Sequence, residues 1–495
     1  MYLIALVTAF LLYLFSLVVY RLYSSPIAKF PGPKLAALSR WYEFYYEVVL
    51  RGQFTFHVAE LHKKYGPIVR INPYELHVAD SEFWDTLYGP GRVDKYDYFM
   101  NRQNIPRSIF ATPDHNLHKL RKSPLLPLFS KKRISDFQPV IREKLDILCS
   151  KIDQYVANGG HFPINRAMTA FSGDVITTYV FGQSYQHLES PDFKDTFHEP
   201  FMAASESGHV ALQFKWVYPL MEALPEWLVL KVQPQIYLIL QLAKDFDVKL
   251  KAILAGTAKE NPDHPTILYE LLRSDLPQQE KQIDRLNEEA QLLVAAGLTT
   301  AAWAMSVTAF HVIQSPTVSE KLRRELVTAL PDDKFDWADV EKLPYLNACI
   351  REGLRLSYGV TARSPRLWDK PFEYHGWTIP ARTPVSLTIV DHNHNEEIFP
   401  ESYKFKPERW LRDSHLDKNM DRWWFPFGKG SRSCLGVNLA TAEIHLCLAT
   451  LFRRYDFELF GTDVSDVTVV HDFFLPSARL DSKGVRVVPK AATKI

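Results

Sequence analysis

The chain is poor in cysteine. Only four occur in 495 residues, Cys149, Cys349, Cys434 and Cys447, and they form no close-spaced pair. That argues against a disulfide framework and against a zinc knuckle. No Asn-x-Ser/Thr sequon occurs either. Both absences fit a body that faces a reducing, non-glycosylating compartment. Net charge is almost absent, with 58 Lys+Arg against 57 Asp+Glu. A balance of +1 removes any global electrostatic case for nucleic acid or for an acidic partner. Beyond Trp41 there is no Gly/Ser linker, charge block or internal repeat, and the 32 prolines are scattered through the chain. No G-x-G-x-x-G element is present, so no dinucleotide fingerprint accompanies the body.

Charge is also missing from Tyr2 to Tyr20. As a helix this run is about 28 Å long, close to the hydrocarbon thickness of a bilayer. Arg21, Lys29, Lys34 and Arg40 follow it and no charged side chain precedes it, which puts the rest of the chain in the cytosol. A cleaved signal peptide is the rival reading, but the basic n-region is lacking and the apolar run is too long for an h-region. Residues 1–21 are therefore expected to be a transmembrane anchor in a lipid bilayer. Residues 22–40 are expected to be a basic, proline-rich linker, stiffened by Phe30-Pro31-Gly32-Pro33 into a non-helical spacer. Residues 41–495 form the body.

Helical periodicity dominates that body, at Arg142–Val156, Ile236–Leu254, Asp284–Gln314, Val318–Leu330 and Val340–Leu356. Ser315-Pro316 marks a stop. Strand-like alternation appears at Ile68–Val78, Phe372–Ile379, Val385–Val390 and Val485–Val488. The pattern predicts a mainly α fold with small, segregated β-sheets.

The most informative segment runs from Phe427 through Gly428, Gly430, Arg432 and Cys434 to Gly436, followed by an apolar, helix-periodic run from Val437 to Phe452. Cys434 thus falls in a glycine-containing turn at a helix amino terminus, where backbone N–H groups and the helix dipole favour a thiolate. A thiolate is a soft iron ligand, and it donates electron density that favours O–O cleavage. Gly430 permits a positive φ and Gly436 the close approach of a flat cofactor. Phe427 can lie against that cofactor, and Arg432 can hydrogen-bond a haem propionate. An ordinary buried cysteine is the bland alternative. Five fixed residue types at fixed spacing arise by chance in such a chain with probability on the order of 10⁻⁴.

These residues match F-x-x-G-x-R-x-C-x-G, and the chain resembles the cytochromes P450 over essentially its whole length. The resemblance implies a single-domain cytochrome P450 fold behind the anchor, haem b as cofactor, and Cys434 as the metal ligand. Glu352-x-x-Arg355 and Arg409 match the family's buried Glu–Arg–Arg network, whose role is folding and haem retention. Ala296-Gly297-Leu298-Thr299-Thr300 matches the distal oxygen motif of its long central helix. There Thr300 would relay a proton, and the small residues would let the helix part to admit O₂. Thr299 stands where the family usually has an acid, which puts the proton supply in doubt. His118 and Lys122 match the positions of a W-x-x-x-R propionate grip, and Arg366 matches a further propionate contact.

The family draws electrons from NADPH through a separate reductase. The anchor implies the membrane-bound flavoprotein of the endoplasmic reticulum, with cytochrome b5 as a second donor. Lys131, Lys132, Arg133 and Lys429 could form its docking patch. His392 and His394 form an H-x-H without a third ligand at useful spacing, and read as structural. By position in the family fold, pocket residues come from Met100–Thr112, Phe201–Phe214, Val294–Gly297, Val360–Ala362 and Phe473–Leu475. These are mostly apolar, so a lipophilic substrate is expected. The segment from Lys29 to Val78 looks like the fungal microsomal branch that includes trichodiene oxygenase, which tailors terpenoid and polyketide secondary metabolites. The expected activity is monooxygenation. A haem-thiolate isomerase or dehydratase that needs neither O₂ nor reductase is the alternative, and a haem-binding sensor is a third reading.

Overall fold

The structure, a computed structural model, describes residues 1–492 apart from 90, 195, 258–264, 333 and 412–419. Helix α1 (Tyr2–Val19), extended by a wider turn over Tyr20–Ser24, has no buried residue. It is long and apolar enough to cross a membrane. The segment after it differs from a free spacer. Ile27, Phe30 and Ala36 are buried, the Phe30 ring stacks on Trp377 with centroids 5.0 Å apart, and Lys34–Leu38 forms a short helix. The prolines do exclude helix before Lys34. The apolar side chains between them still gain by leaving water, and they tie the segment to the body.

The other helices used below are α2 (His115–Lys122), α3 (Lys131–Asn158), α4 (Ile164–Phe181), α5 (His198–Gln213), α6 (Pro234–Leu254), α7 (Ile283–Gln314), α8 (Pro316–Ala329), α9 (Pro344–Ser357) and α10 (Val437–Arg454). The 32-residue α7 is the axis of the body and packs against α4, α6, α9 and α10. It is sharply bounded. Ser315 leaves helical geometry, accepts from the Val318 amide and caps α8, whose first residue is Pro316. Helix α3 starts well before Arg142 because it runs through Pro139.

Helix α4 crosses α7 at very close range. A Cβ added at Gly297 would lie 2.6 Å from Cγ1 of Ile176, and one at Gly173 would lie 2.9 Å from Cδ1 of Leu298. The two glycines thus set the separation of the two axes.

Five short strands form one sheet in the order Ile68–Arg70, Leu76–Val78, Val385–Ser386, Arg366–Leu367, Asp94–Lys95. The alternation over Ile68–Val78 resolves into a hairpin pairing Ile68 with Val78, and that over Phe372–Ile379 into another. The strand expected over Val385–Val390 ends at Ser386, and Ile389–Asn393 is helical. Near the carboxyl end, Arg486–Ala491 pairs with Tyr455–Leu459 and Phe162–Pro163.

Candidate active site

The turn carrying Cys434 is held from three sides. Within it, the Cys434 amide donates to the Phe427 carbonyl (2.8 Å) and Ser433 to Gly430 (3.1 Å). Gly430 has φ +69°, and an added Cβ would lie 2.2 Å from the Tyr88 carbonyl oxygen, so both conformation and space require glycine there. From α2, Lys122 Nζ donates to the carbonyls of Ser431 and Ser433, each at 3.0 Å. Arg432 donates to the carbonyls of Thr112 (2.7 Å) and Pro113 (2.7 Å). A Cβ added at Gly436 would meet nothing within 4 Å, while Phe427 is partly buried against the main core. Cys434 keeps an exposed surface. Burial pushes its thiol up, while the Gly436 amide and Lys122 pull it back down. A bound metal cation would remove that proton outright.

Around this turn the chain gathers more cations than anions, Asp94 and Asp114 being acids that act on Arg432. Lys95 and Arg366 are directly opposite partners on adjacent antiparallel strands, a like-charge arrangement that ordinarily destabilises a sheet. Both are buried, as is His118. Arg366 donates to Ser364 Oγ (2.8 Å) and lies over the Tyr88 ring; Lys95 donates to the Phe110 carbonyl. Among the described residues, no carboxylate forms an ion pair with Lys95, Lys122, Arg366 or Arg432, and Nε of Arg432 is buried without a partner. The electrostatic consequences agree. Burial, with Arg366, Arg432 and Lys122, holds the Lys95 ammonium well below its usual range. Burial and Arg432 push His118 down to about 2, so it is neutral, and burial with Arg366 pushes Arg432 down to about 10. Buried cations without counter-charge are costly. A dianionic cofactor edge, such as the two propionates of haem, supplies the missing charge, so the residues present fit the group.

The sequence motifs point to Arg366, Arg432, His118 and Lys122 as propionate contacts, and nothing in them points to Lys95. Lys122 is already engaged by two carbonyls of the cysteine turn.

On α7, Thr300 Oγ1 donates to the Ala296 carbonyl (2.8 Å) and Thr299 Oγ1 to the Ala295 carbonyl (2.7 Å). The helix continues unbroken through both. Ala296 is exposed and Thr300 half-buried, one turn apart on one face, whereas Thr299 is buried. Gly297 packs on α4, so it serves the helix contact described above.

Behind the cysteine turn, the Glu352 carboxylate accepts from Arg355 Nε (3.0 Å) and Nη2 (2.8 Å), Arg409 Nε (3.0 Å), the Lys406 amide (3.0 Å) and Trp410 Nε1 (2.9 Å). All three charged groups are buried. Burial pushes the Glu352 carboxyl up, but Arg355, Arg409 and the Lys406 amide hold it below the usual carboxylate range. His392 bonds Ser81 and the Trp423 carbonyl, and His394 bonds Tyr358 and Ser402, so both ring nitrogens of each are used.

Four of the expected pocket segments meet in one apolar cluster: Met100 and Ala111, then Leu212, then Ala362 with Val360, then Phe474, and Phe99, just outside those segments, joins them. Asp472 cross-links them. It accepts from Thr361 Oγ1 (2.8 Å) and the Phe474 amide (2.8 Å), and its carbonyl bonds His209 of α5 (2.7 Å). His209 in turn faces Arg102 (3.2 Å). No local sequence signal marks Asp472 or His209.

A profile of the family described as Cytochrome P450 matches residues 33–481. The chain is a cytochrome P450. Its relatives include the cytochrome P450 monooxygenase sdnE of Sordaria araneosa, 45% identical over 97% of this P450 and 96% of that protein. The tryptophan 6-hydroxylase fscE of Fusarium equiseti is 40% identical, over 97% and 96% respectively. The N-acetyltryptophan 6-hydroxylase ivoC of Emericella nidulans is 41% identical, over 96% and 95%. This P450 is therefore a haem-dependent oxidoreductase of the oxygen-incorporating kind.

Proposed function

We propose that this P450 is a single-pass enzyme of the endoplasmic reticulum membrane whose body, residues 41–495, faces the cytosol. It inserts one oxygen atom from O₂ into a lipophilic secondary metabolite of the terpenoid or polyketide kind. Electrons come from NADPH through the membrane-bound P450 reductase, with cytochrome b5 as a second donor. The observation that carries this reading is the Cys434 thiol in a turn flanked by buried cations without carboxylate partners.

Haem, when bound, supplies the reductive activation of O₂. The chain's own groups hold and orient it. Cys434 offers the sulfur, and Lys122 fixes the two carbonyls beside it. Arg366, Arg432 and His118, together with Lys95, would hold its propionates. Gly430, Gly436 and Phe427 shape the seat. Thr300 holds a proton at Oγ1 on the accessible face of α7. Thr299 offers a hydroxyl already bonded to Ala295 and no acid, so protons reach Thr300 through water or through substrate hydroxyls. In the docking patch, Lys131 pairs with Glu341 and Lys429 with Asp85. Surface pairs are worth about 0–1 kcal/mol, so an acidic donor can displace them at little cost.

Phe99, Phe110 and Phe474 give the pocket cluster an aromatic wall. With two relatives named for hydroxylating tryptophan or its N-acetyl derivative, an aromatic ring on the substrate is compatible with it. The test is turnover in microsomes supplied with reductase under ¹⁸O₂, with metabolite profiling. One ¹⁸O atom per product, dependent on NADPH, is expected. Product formed without NADPH or O₂ would instead establish the isomerase or dehydratase reading.

A further inference from the structure

We propose that the cleft between the end of the anchor and the body binds the phosphate of an anionic membrane phospholipid. The inference rests on the reading of α1 as a bilayer-spanning anchor. The cleft, about 280 Å³ in volume, has Arg21, Arg40, Trp41, Tyr74, Gln213 and Phe214 among its lining residues. Arg21 belongs to the turn that ends the apolar helix, and it fastens that turn to the body by donating to the Leu38 carbonyl and to the Tyr74 hydroxyl (2.9 Å). A bilayer around α1 therefore has its head groups at the level of the cleft.

The chemistry of the walls suits an anion. The guanidinium carbons of Arg21 and Arg40 lie 5.7 and 4.6 Å from the centroid of the Tyr74 ring. Arg70 stands behind them, buried, donating to the carbonyls of Arg21 (2.7 Å) and Pro73 (2.9 Å), and it forms no ion pair with a carboxylate among the described residues. Burial, and after it Arg21, push Arg70 down to about 10. Burial disfavours the Arg40 charge, but Tyr98, Glu75, Tyr96 and Glu43 outweigh it and raise Arg40 above its usual range, although Arg363 pairs with both carboxylates. Two lining residues also carry buried donors without a partner, Nε of Arg40 and Nε2 of Gln213. Buried donors are ordinarily satisfied.

The surroundings suit lipid. Trp41, Trp216 and Trp227 are 63%, 60% and 67% exposed. Trp41 packs on Phe214, which packs on Trp216, so two of these indoles flank the cleft. Tryptophan concentrates at the head-group level of membranes. A drug-sized ligand fills about 300–1,000 Å³, so this cleft suits a glycerophosphate group whose acyl chains leave toward the bilayer. A neutral lipophile would leave the two guanidinium groups without an anion.

The test is calorimetric titration of the full-length, haem-loaded protein in neutral detergent with dihexanoyl phosphatidic acid, dihexanoyl phosphatidylcholine and inorganic phosphate. Phosphatidic acid should bind at one site, at least tenfold more tightly than the other two. Arg21→Gln and Arg40→Gln, with folding checked by the ferrous–CO spectrum, should each weaken it at least fivefold. Equal affinity for all three probes overturns the proposal, as does unchanged affinity in both variants. Inorganic phosphate binding as tightly as phosphatidic acid overturns the lipid assignment. Carbonate extraction of native membranes separates the two levels. Release of the chain into the supernatant refutes the anchor and this site with it, whereas a retained chain with no lipid preference refutes the site alone.

Discussion

Replacing Lys95 by Met should change the haem-free and haem-loaded proteins in opposite directions. Lys95 and Arg366 are directly opposite on antiparallel strands, where Cβ atoms lie about 5 Å apart and long side chains reach one another over about 7–8 Å. With an effective dielectric of about 20, one such repulsion is worth about 2 kcal/mol. Losing the Lys95 hydrogen bond to the Phe110 carbonyl costs about 1 kcal/mol. The haem-free variant should therefore gain about 1 kcal/mol against urea. The gain should depend on pH. Burial and the neighbouring cations depress the folded pKa of Lys95. The penalty in the wild type is thus fullest below that depressed value and fades as pH rises toward the unfolded value, so the gain is larger at pH 6 than at pH 9. With haem bound the lysine faces an anion instead. A hydrogen bond to a charged group contributes roughly 1.5–3 kcal/mol, so the variant should hold haem about 30-fold less tightly, read as transfer to an apoprotein acceptor. A variant that destabilises the haem-free form and leaves haem retention unchanged would refute the idea that the cations await a dianion.

Glu352→Ala should cost about 3–5 kcal/mol in urea unfolding, because Arg355 and Arg409 are left buried without their anion; wild-type stability would contradict the network's structural role. Thr300→Ala should raise peroxide release per NADPH consumed, and unaltered coupling would remove Thr300 from proton transfer. Glu443, buried on α10, has its carboxyl pushed up to about 8 by burial. Its favourable contribution is complete below the unfolded carboxyl value and is lost as pH rises through about 8. Glu443→Gln should therefore gain stability over the wild type progressively from pH 5 to pH 8, and a flat difference across that range would refute the assignment.

What could be read from the sequence depended on whether a residue's role is local. Asp284–Gln314 was legible because Ser315-Pro316 must end a helix, and the structure moves its start by only one residue, to Ile283. The residues of the cysteine turn and the Glu352–Arg355 pair lie within one local segment each, so their spacing carries their geometry. Helix α4 went unseen because it is buried nearly all round and so has no amphipathic stripe. Residues 22–40 read as a spacer because prolines are visible, while the packing of Phe30 on Trp377 joins residues far apart in the chain. Lys95 sits beside Asp94 with no motif around it, and only its register opposite Arg366 reveals it. Asp472 likewise acquires meaning from four segments that meet only in three dimensions.

We propose that the sulfur of Cys434 holds the iron. The ferrous–CO spectrum of wild-type protein and of Cys434→Ser tests it most directly. A strongly red-shifted Soret band is expected in the wild type and none in the variant. The same band in both proteins would contradict it.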